Sequence, residues 1–270
     1  MSTTWNEAID DWVAWLRAAG RPPSTCALRR YHLRRLANEQ PKPLARITGR
    51  DLVTWAASHD WSRETRRSYR SSLRSFFGWA LDVGLRPDDP SRALGVVRPT
   101  EPRPHPTTRT VIDQALTRAA PRERLAIRLA AEAGLRRGEV VLIHHRDVVE
   151  DLLGWSLIVH GKGGKERTIP LETGLAVAVR DACTAGGGYA FPGQIDGHLS
   201  AHALGTLVSR LLPEGVTMHS LRHTFATTCY RATGDLLAVQ QLLGHSSVAT
   251  TQRYVLLDPG RLRAVAATAA

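Results

Sequence analysis

The chain has 270 residues, 43% of them hydrophobic and 23% charged, enough to bury a sizeable core and to make two domains. No run approaches the roughly 18 apolar residues of a bilayer-spanning helix, and Cys26, Cys183 and Cys229 show no CxxC spacing, which argues against a spanning helix, a disulfide framework or a cysteine metal site. Lys+Arg 36 against Asp+Glu 25 gives a net charge of +11, a balance that favours a polyanionic partner, nucleic acid before membrane.

The opening "MSTTWNEAIDDW" is acidic and amphipathic rather than an apolar leader, so a cytoplasmic protein is expected. Trp5, Ile9, Trp12, Val13 and Leu16 recur at helical spacing and predict a first helix with one apolar stripe. Ser24 is a candidate cap for a second, "TCALRRYHLRRLANE", and Asp51 with its neighbours suggests a short third. The fourth, "SRETRRSYRSSLRSFFGWALDVG", has Ser62 as N-cap. On it Arg63, Arg66, Arg67, Arg70 and Arg74 fall within about 100° of one another beside an apolar face of Tyr69, Leu73, Phe76, Phe77 and Ala80. Like charges at helical spacing repel, and without interleaved Glu a phosphate backbone would relieve them, so these arginines are candidate DNA contacts. A solvated charged face is the alternative.

Four prolines at 99, 102, 104 and 106 resist helix and sheet and place a stiff linker over residues 99–107. It separates an all-helical domain, 1–98, with a net charge of +7, from a second domain, 108–270. In the second, "PRERLAIRLAAEAG" reads as a helix stopped by Gly134, with Arg136 where the next begins. "WSLIVH", "GKGG" and "KERTIPL" read as a hairpin carrying Lys162 at its tip; the turn lacks the pattern of a phosphate-binding P-loop. "TAGGGYAFPGQIDGH" (184–198) reads as a surface loop. The expected fold class is therefore mainly α with a small antiparallel β-hairpin or sheet.

In "TMHSLRHTFATT", Thr217 can cap a helix that displays His219, Arg222 and His223 outward and anchors Met218, Leu221 and Phe225 inward. His219 and His223 have zinc-ligand spacing, but position 220 is Ser and no carboxylate cluster follows, so no metal is expected. "LGHSS" breaks the next helix at Gly244, which lets His245 and Tyr254 converge instead of pointing apart; a lone tyrosine would otherwise read as half-buried packing.

In order and local context, Arg136 in "AGLRRGE", Lys162 in "HGKGGKERTIPL", His219 and Arg222 in "HSLRH", His245 in "LLGH" and Tyr254 in "TTQRY" resemble the tyrosine recombinase (phage integrase) family over about residues 110–260. The resemblance implies a helical core-binding domain followed by a catalytic domain. It also implies site-specific recombination of double-stranded DNA through a covalent 3′-phosphotyrosine, with no cofactor. Tyr254 would be the nucleophile, His219 the base and Lys162 the acid for the departing 5′ oxygen. Arg136 and Arg222 would cancel phosphate charge, with His245 as a further phosphate donor. Glu139 and His223 would hold the site together.

Members of the family assemble as four protomers on two DNA sites, and "DPGRLRAVAATAA" is expected to form a helix docking on a neighbouring protomer or packing in cis. The absence of a further N-terminal module leans toward a Xer-like resolvase or a compact integrase on a short core site; accessory proteins are not specified by the sequence. A type IB topoisomerase and a catalytically silent DNA-binding regulator are the rival readings.

Overall fold

A computed structural model describes residues 4–99, 105–161, 164–244 and 267. The chain makes two compact units, Met1–Pro102 and Arg103–Ala270.

The first unit is built on α1 (Trp5–Ala18), α2 (Pro23–Glu39), α3 (Gly49–Ala57) and α4 (Arg63–Asp82). Local chemistry sets their starts. Thr4 and Glu7 close a reciprocal capping box on α1, Thr48 and Asp51 do the same on α3, and Ser62 Oγ accepts from the Thr65 N–H at the head of α4. Helix α2 does not begin at Ser24: Pro22 occupies the cap position and Pro23 the first turn, where a missing N–H and a fixed φ cost nothing. The apolar stripes of α1 and α4 meet in one core, with Trp12 edge-on to Phe76 at 5.3 Å between centroids. Each such fully buried side chain contributes roughly 1.5–3 kcal/mol.

The α4 arginines are not the unpaired stripe the sequence suggests. Arg66 donates to the carbonyls of Ala56, His59 and Trp61, and Arg70 to that of Leu94. Arg67 pairs with Glu64 at 2.7 Å and Arg74 with Asp89 at 3.2 Å. Mutual repulsion is thus relieved internally for four of the five, by main-chain carbonyls and Asp89 outside the helix and by Glu64 within it, an acid of α4 that the sequence reading passed over.

The second unit runs α5 (Arg109–Arg118), α6 (Pro121–Glu132), α7 (Arg137–Val140), β1 (Val148–Asp151), β2 (Gly154–His160), β3 (Glu166–Leu171), α8 (Thr173–Ala185), β4 (Pro192–Ile195), α9 (Ala201–Ser209), α10 (Met218–Thr233) and α11 (Leu236–Leu243). The first three strands form an antiparallel sheet in the order β1-β2-β3, with Leu157 opposite Ile169 and Val159 opposite Arg167. The β2–β3 pair is the hairpin read from the β-branched pattern; β1 is an addition to it. The segment 184–198 is not only loop, since it contains β4 and the fully buried Phe191. The core gathers around α6, whose Leu125, Ala126, Ile127, Leu129 and Ala130 are all buried. Thr224 on α10 pins the chain entering this unit: it accepts from the Thr107 N–H at 2.9 Å and donates to the Thr107 carbonyl at 3.0 Å.

Candidate active site

Three chain breaks in helix geometry place the candidate residues. Helix α6 ends before Gly134, which holds φ +66°. A Cβ at that position would sit 2.5 Å from a ring carbon of Phe225, so only glycine permits both this backbone and the close approach of α10. The chain then turns directly into α7 with Arg136 as its N-cap residue. Thr217 caps α10, accepting from the His219 N–H, and fixes the start of the helix that carries His219, Arg222 and His223. Gly244, at φ +60°, closes α11.

Glu139 is the hub of the site. It lies on α7, 6% exposed, and its carboxylate accepts from the Arg136 backbone N–H at 2.8 Å and from Arg136 Nη1 at 2.7 Å. Arg167, on β3, meets it in a bidentate fork at 2.9 and 2.8 Å, and Arg222 Nη1 stands 3.7 Å from Oε2. Burial alone would raise the Glu139 carboxyl, but the Arg167 hydrogen bonds, the Arg136 N–H and the two charges override it and hold the group at about 2.

Arg222 is not displayed outward. It is 1% exposed and among the largest fully buried side chains described. Its guanidinium donates to the Gly134 carbonyl through Nη1 and to the Leu243 carbonyl through Nη2 at 2.6 Å. The Leu243 oxygen carries the partial negative charge of the α11 C-terminus, the Gly134 oxygen adds an acceptor just past the end of α6, and the Glu139 carboxylate supplies a full counter-charge; together they offset the cost of burying a cation here. Helical periodicity put His219, Arg222 and His223 on one face correctly. It could not show that the Arg222 part of that face meets two helix ends.

Arg136 keeps 41% of its side chain exposed while Arg167 and Arg222 are enclosed, so the cluster has one accessible guanidinium and two buried ones. His219 is exposed at the start of α10, its ring 4.3 Å from that of His223. Surrounding protein, and then the positive charges of Arg222 and Arg136, press its imidazole below the usual value. It is therefore neutral at neutral pH and able to take a proton. Three arginines against one glutamate leave a formal charge of +2 around a small volume. Such a surplus suits a phosphorus centre gaining negative charge on its non-bridging oxygens.

The structure thus brings together Arg136, Glu139 and Arg222, with His219 and His223 alongside on α10. Lys162, His245 and Tyr254 lie outside the described residues, as does the C-terminal helix expected over residues 258–270, Ala267 excepted. Reading the sequence for motifs missed Arg167. The signal was present: Arg167, Ile169 and Leu171 alternate onto the inward face of β3, and a cation in an inward series asks for a buried partner. Among the described residues, no group of three or more His, Cys, Asp or Glu is placed to hold a metal ion, and no helix is long and apolar enough to cross a membrane.

Comparison with known proteins agrees with this geometry. Residues 107–261 match the phage integrase family. The tyrosine recombinase XerC of Erythrobacter litoralis is 32% identical over 287 aligned positions, covering 96% of this chain and 90% of its own. A lambda integrase dimer bound to a COC′ core site shares the fold with a TM-score of 0.74 at 20% identity, over 94% of this chain and 77% of that one. A lambda integrase tetramer bound to a Holliday junction gives 0.71 at 21% identity, over 91% and 78%. The chain belongs to the phage integrase family of tyrosine recombinases, and it is a site-specific recombinase of DNA. The topoisomerase and silent-regulator readings are not favoured.

Proposed function

We propose that Tyr254 attacks one phosphodiester of a double-stranded core site, forming a 3′-phosphotyrosine and releasing a 5′ hydroxyl. The incoming 5′ hydroxyl of a partner strand reverses the step, so bond energy is conserved in the protein–DNA link and neither nucleotide hydrolysis nor metal is required. The observation that carries this reading is the Glu139 hub, which sets Arg136 and Arg222 side by side with their hydrogen-bonding geometry fixed before any substrate arrives.

In this reading Arg136 and Arg222 take the non-bridging oxygens as planar, permanently charged donors. A free tyrosine, with pKa near 10, is ionised at only about one part in a thousand at neutral pH, so neutral His219 removes the proton as attack proceeds. Lys162 delivers a proton to the departing 5′ oxygen, and His245 donates to the phosphate. Glu139 and His223 act by holding these groups. Residues 1–98 clamp the DNA core and 108–270 do the chemistry. Arg63 and Arg67, the exposed members of the α4 stripe, serve as phosphate contacts, with Arg66, Arg70 and Arg74 as supports of the surface around them. Four protomers act on two sites in the cytoplasm, with the C-terminal helix exchanged between neighbours.

The test is a nicked suicide core site, from which the short 5′-terminal fragment diffuses away and leaves the covalent adduct trapped. Wild-type protein forms an adduct stable to denaturant and Tyr254→Phe forms none. Arg136→Ala and Arg222→Ala each slow adduct formation by roughly 10²–10³-fold. A Tyr254→Phe protein that still became linked to DNA would overturn the assignment.

A further inference from the structure

We infer that Arg167 is a positioning residue for strand cleavage, acting through Arg222 and through the end of α11; this rests on the strand-transfer reading above. Arg167 directs its three kinds of donor at three fixed acceptors. The Nη1 and Nη2 atoms take both oxygens of Glu139, and Nε takes the Leu242 carbonyl at 2.8 Å. The next carbonyl along, that of Leu243, is taken by Arg222. The last two carbonyls of α11 are therefore gripped by two different arginines, both facing the same carboxylate.

Gly244 completes the arrangement. A Cβ there would fall 2.9 Å from Arg167 Cδ and 3.1 Å from Nη1, so glycine at this C-cap lets the guanidinium lie against the helix end. His245 is the next residue in the chain and Tyr254 follows nine further on. Arg167 thus ties the phosphate-binding arginine to the point from which the nucleophile's segment departs. The phosphorus and the attacking oxygen are referred to one common carboxylate. Lysine, with a single nitrogen on a flexible stem, cannot reach all three acceptors at once.

The experiment uses full-length protein in saturating excess over the suicide core site, with Arg167→Lys and Arg167→Gln. Four quantities are read: affinity for the site, first-order rate of adduct formation, final adduct yield, and thermal midpoint. Positioning predicts for Arg167→Lys a rate lowered about 10²-fold, as an ångström-scale misplacement gives. Affinity should stay within about threefold and final yield close to wild type. A merely structural role would instead lower the yield in step with the fraction folded and leave the rate of the remainder unchanged; that result overturns the inference. Should Arg167→Gln fail to fold, Arg167→Lys decides alone.

A second substrate, with sulfur replacing the 5′ bridging oxygen, separates routes, because a thiolate leaves without needing a proton. The Arg167→Lys defect should persist on it. Full recovery there would mean the residue acts only through the acid on the hairpin, and would also overturn the inference. Wild-type protein that forms no adduct removes the strand-transfer reading itself; wild-type adduct with an unchanged Arg167→Lys rate removes only this role.

Discussion

Glu139 shows how much one buried carboxylate can organise. Its pKa falls from 4.5 to about 2, a gap worth about 3 kcal/mol of linkage. Because the folded value is the depressed one, that stability is present above pH 4.5 and is lost as pH falls toward 2. Glu139→Gln should therefore lower the unfolding free energy by about 3 kcal/mol at pH 7, measured by urea titration, and should flatten the acid side of the stability profile. His219 gives a kinetic counterpart. Its lowered pKa predicts an adduct-formation rate that is flat at neutral pH and falls on the acid side with a midpoint below 6.5; His219→Gln should be slow at every pH and lack that limb. The grouping of Arg136, Glu139 and Arg222 was legible from the order and local context of their motifs. Arg167 was not, because an arginine in a strand reads as solvent-facing until the inward positions of Ile169 and Leu171 beside it are counted.

Among the elements, the capped helices were the most readable, since Ser62, Thr217 and Gly244 each announce an end through a specific backbone hydrogen bond or a positive φ. Strand β1 and strand β4, four residues each, were missed because so short a run offers too few alternations to distinguish from loop. The junction at Gly134 carries a direct test. Gly134→Ala must adopt φ +66° and push into Phe225, so it should cost about 2–4 kcal/mol by chemical denaturation. The turn end of the β2–β3 hairpin has its own pH dependence. Protonated His160 donates through Nε2 to Asp147 and through Nδ1 to Glu166, each at 2.9 Å, and the Asp147 hydrogen bond leads the effects that raise its pKa above 6.5. The raised value belongs to the folded state, so this contribution is complete below pH 6.5 and disappears as pH climbs through the higher midpoint. A histidine proton titration by NMR should find His160 above 6.5 and His219 below it.

For the whole molecule, charge was the first clue and its distribution the more instructive result. The first unit carries many arginines, yet on α2 Arg29 is bonded to Ser75, Arg30 and Arg34 share Asp10, and Arg35 pairs with Glu39. Exposed pairs of this kind are worth little to stability, so a polyanion can compete for the same guanidinium groups at small cost. Affinity for a core site should accordingly fall by at least about tenfold between 50 and 200 mM salt, read by gel shift at fixed pH. A division of the chain near residue 102 was legible in the four prolines at 99, 102, 104 and 106. The burial of Arg222 was not, because it arises where the ends of α6 and α11, more than a hundred residues apart, point at one place.

That burial has an evolutionary corollary. Two of the atoms embracing Arg222 are main-chain oxygens, which no codon change deletes; only the path of the backbone can withdraw them. A side-chain substitution leaves both oxygens in place, so inactivating lesions in a mutational scan should include Gly134 and Gly244, residues that carry no functional group at all.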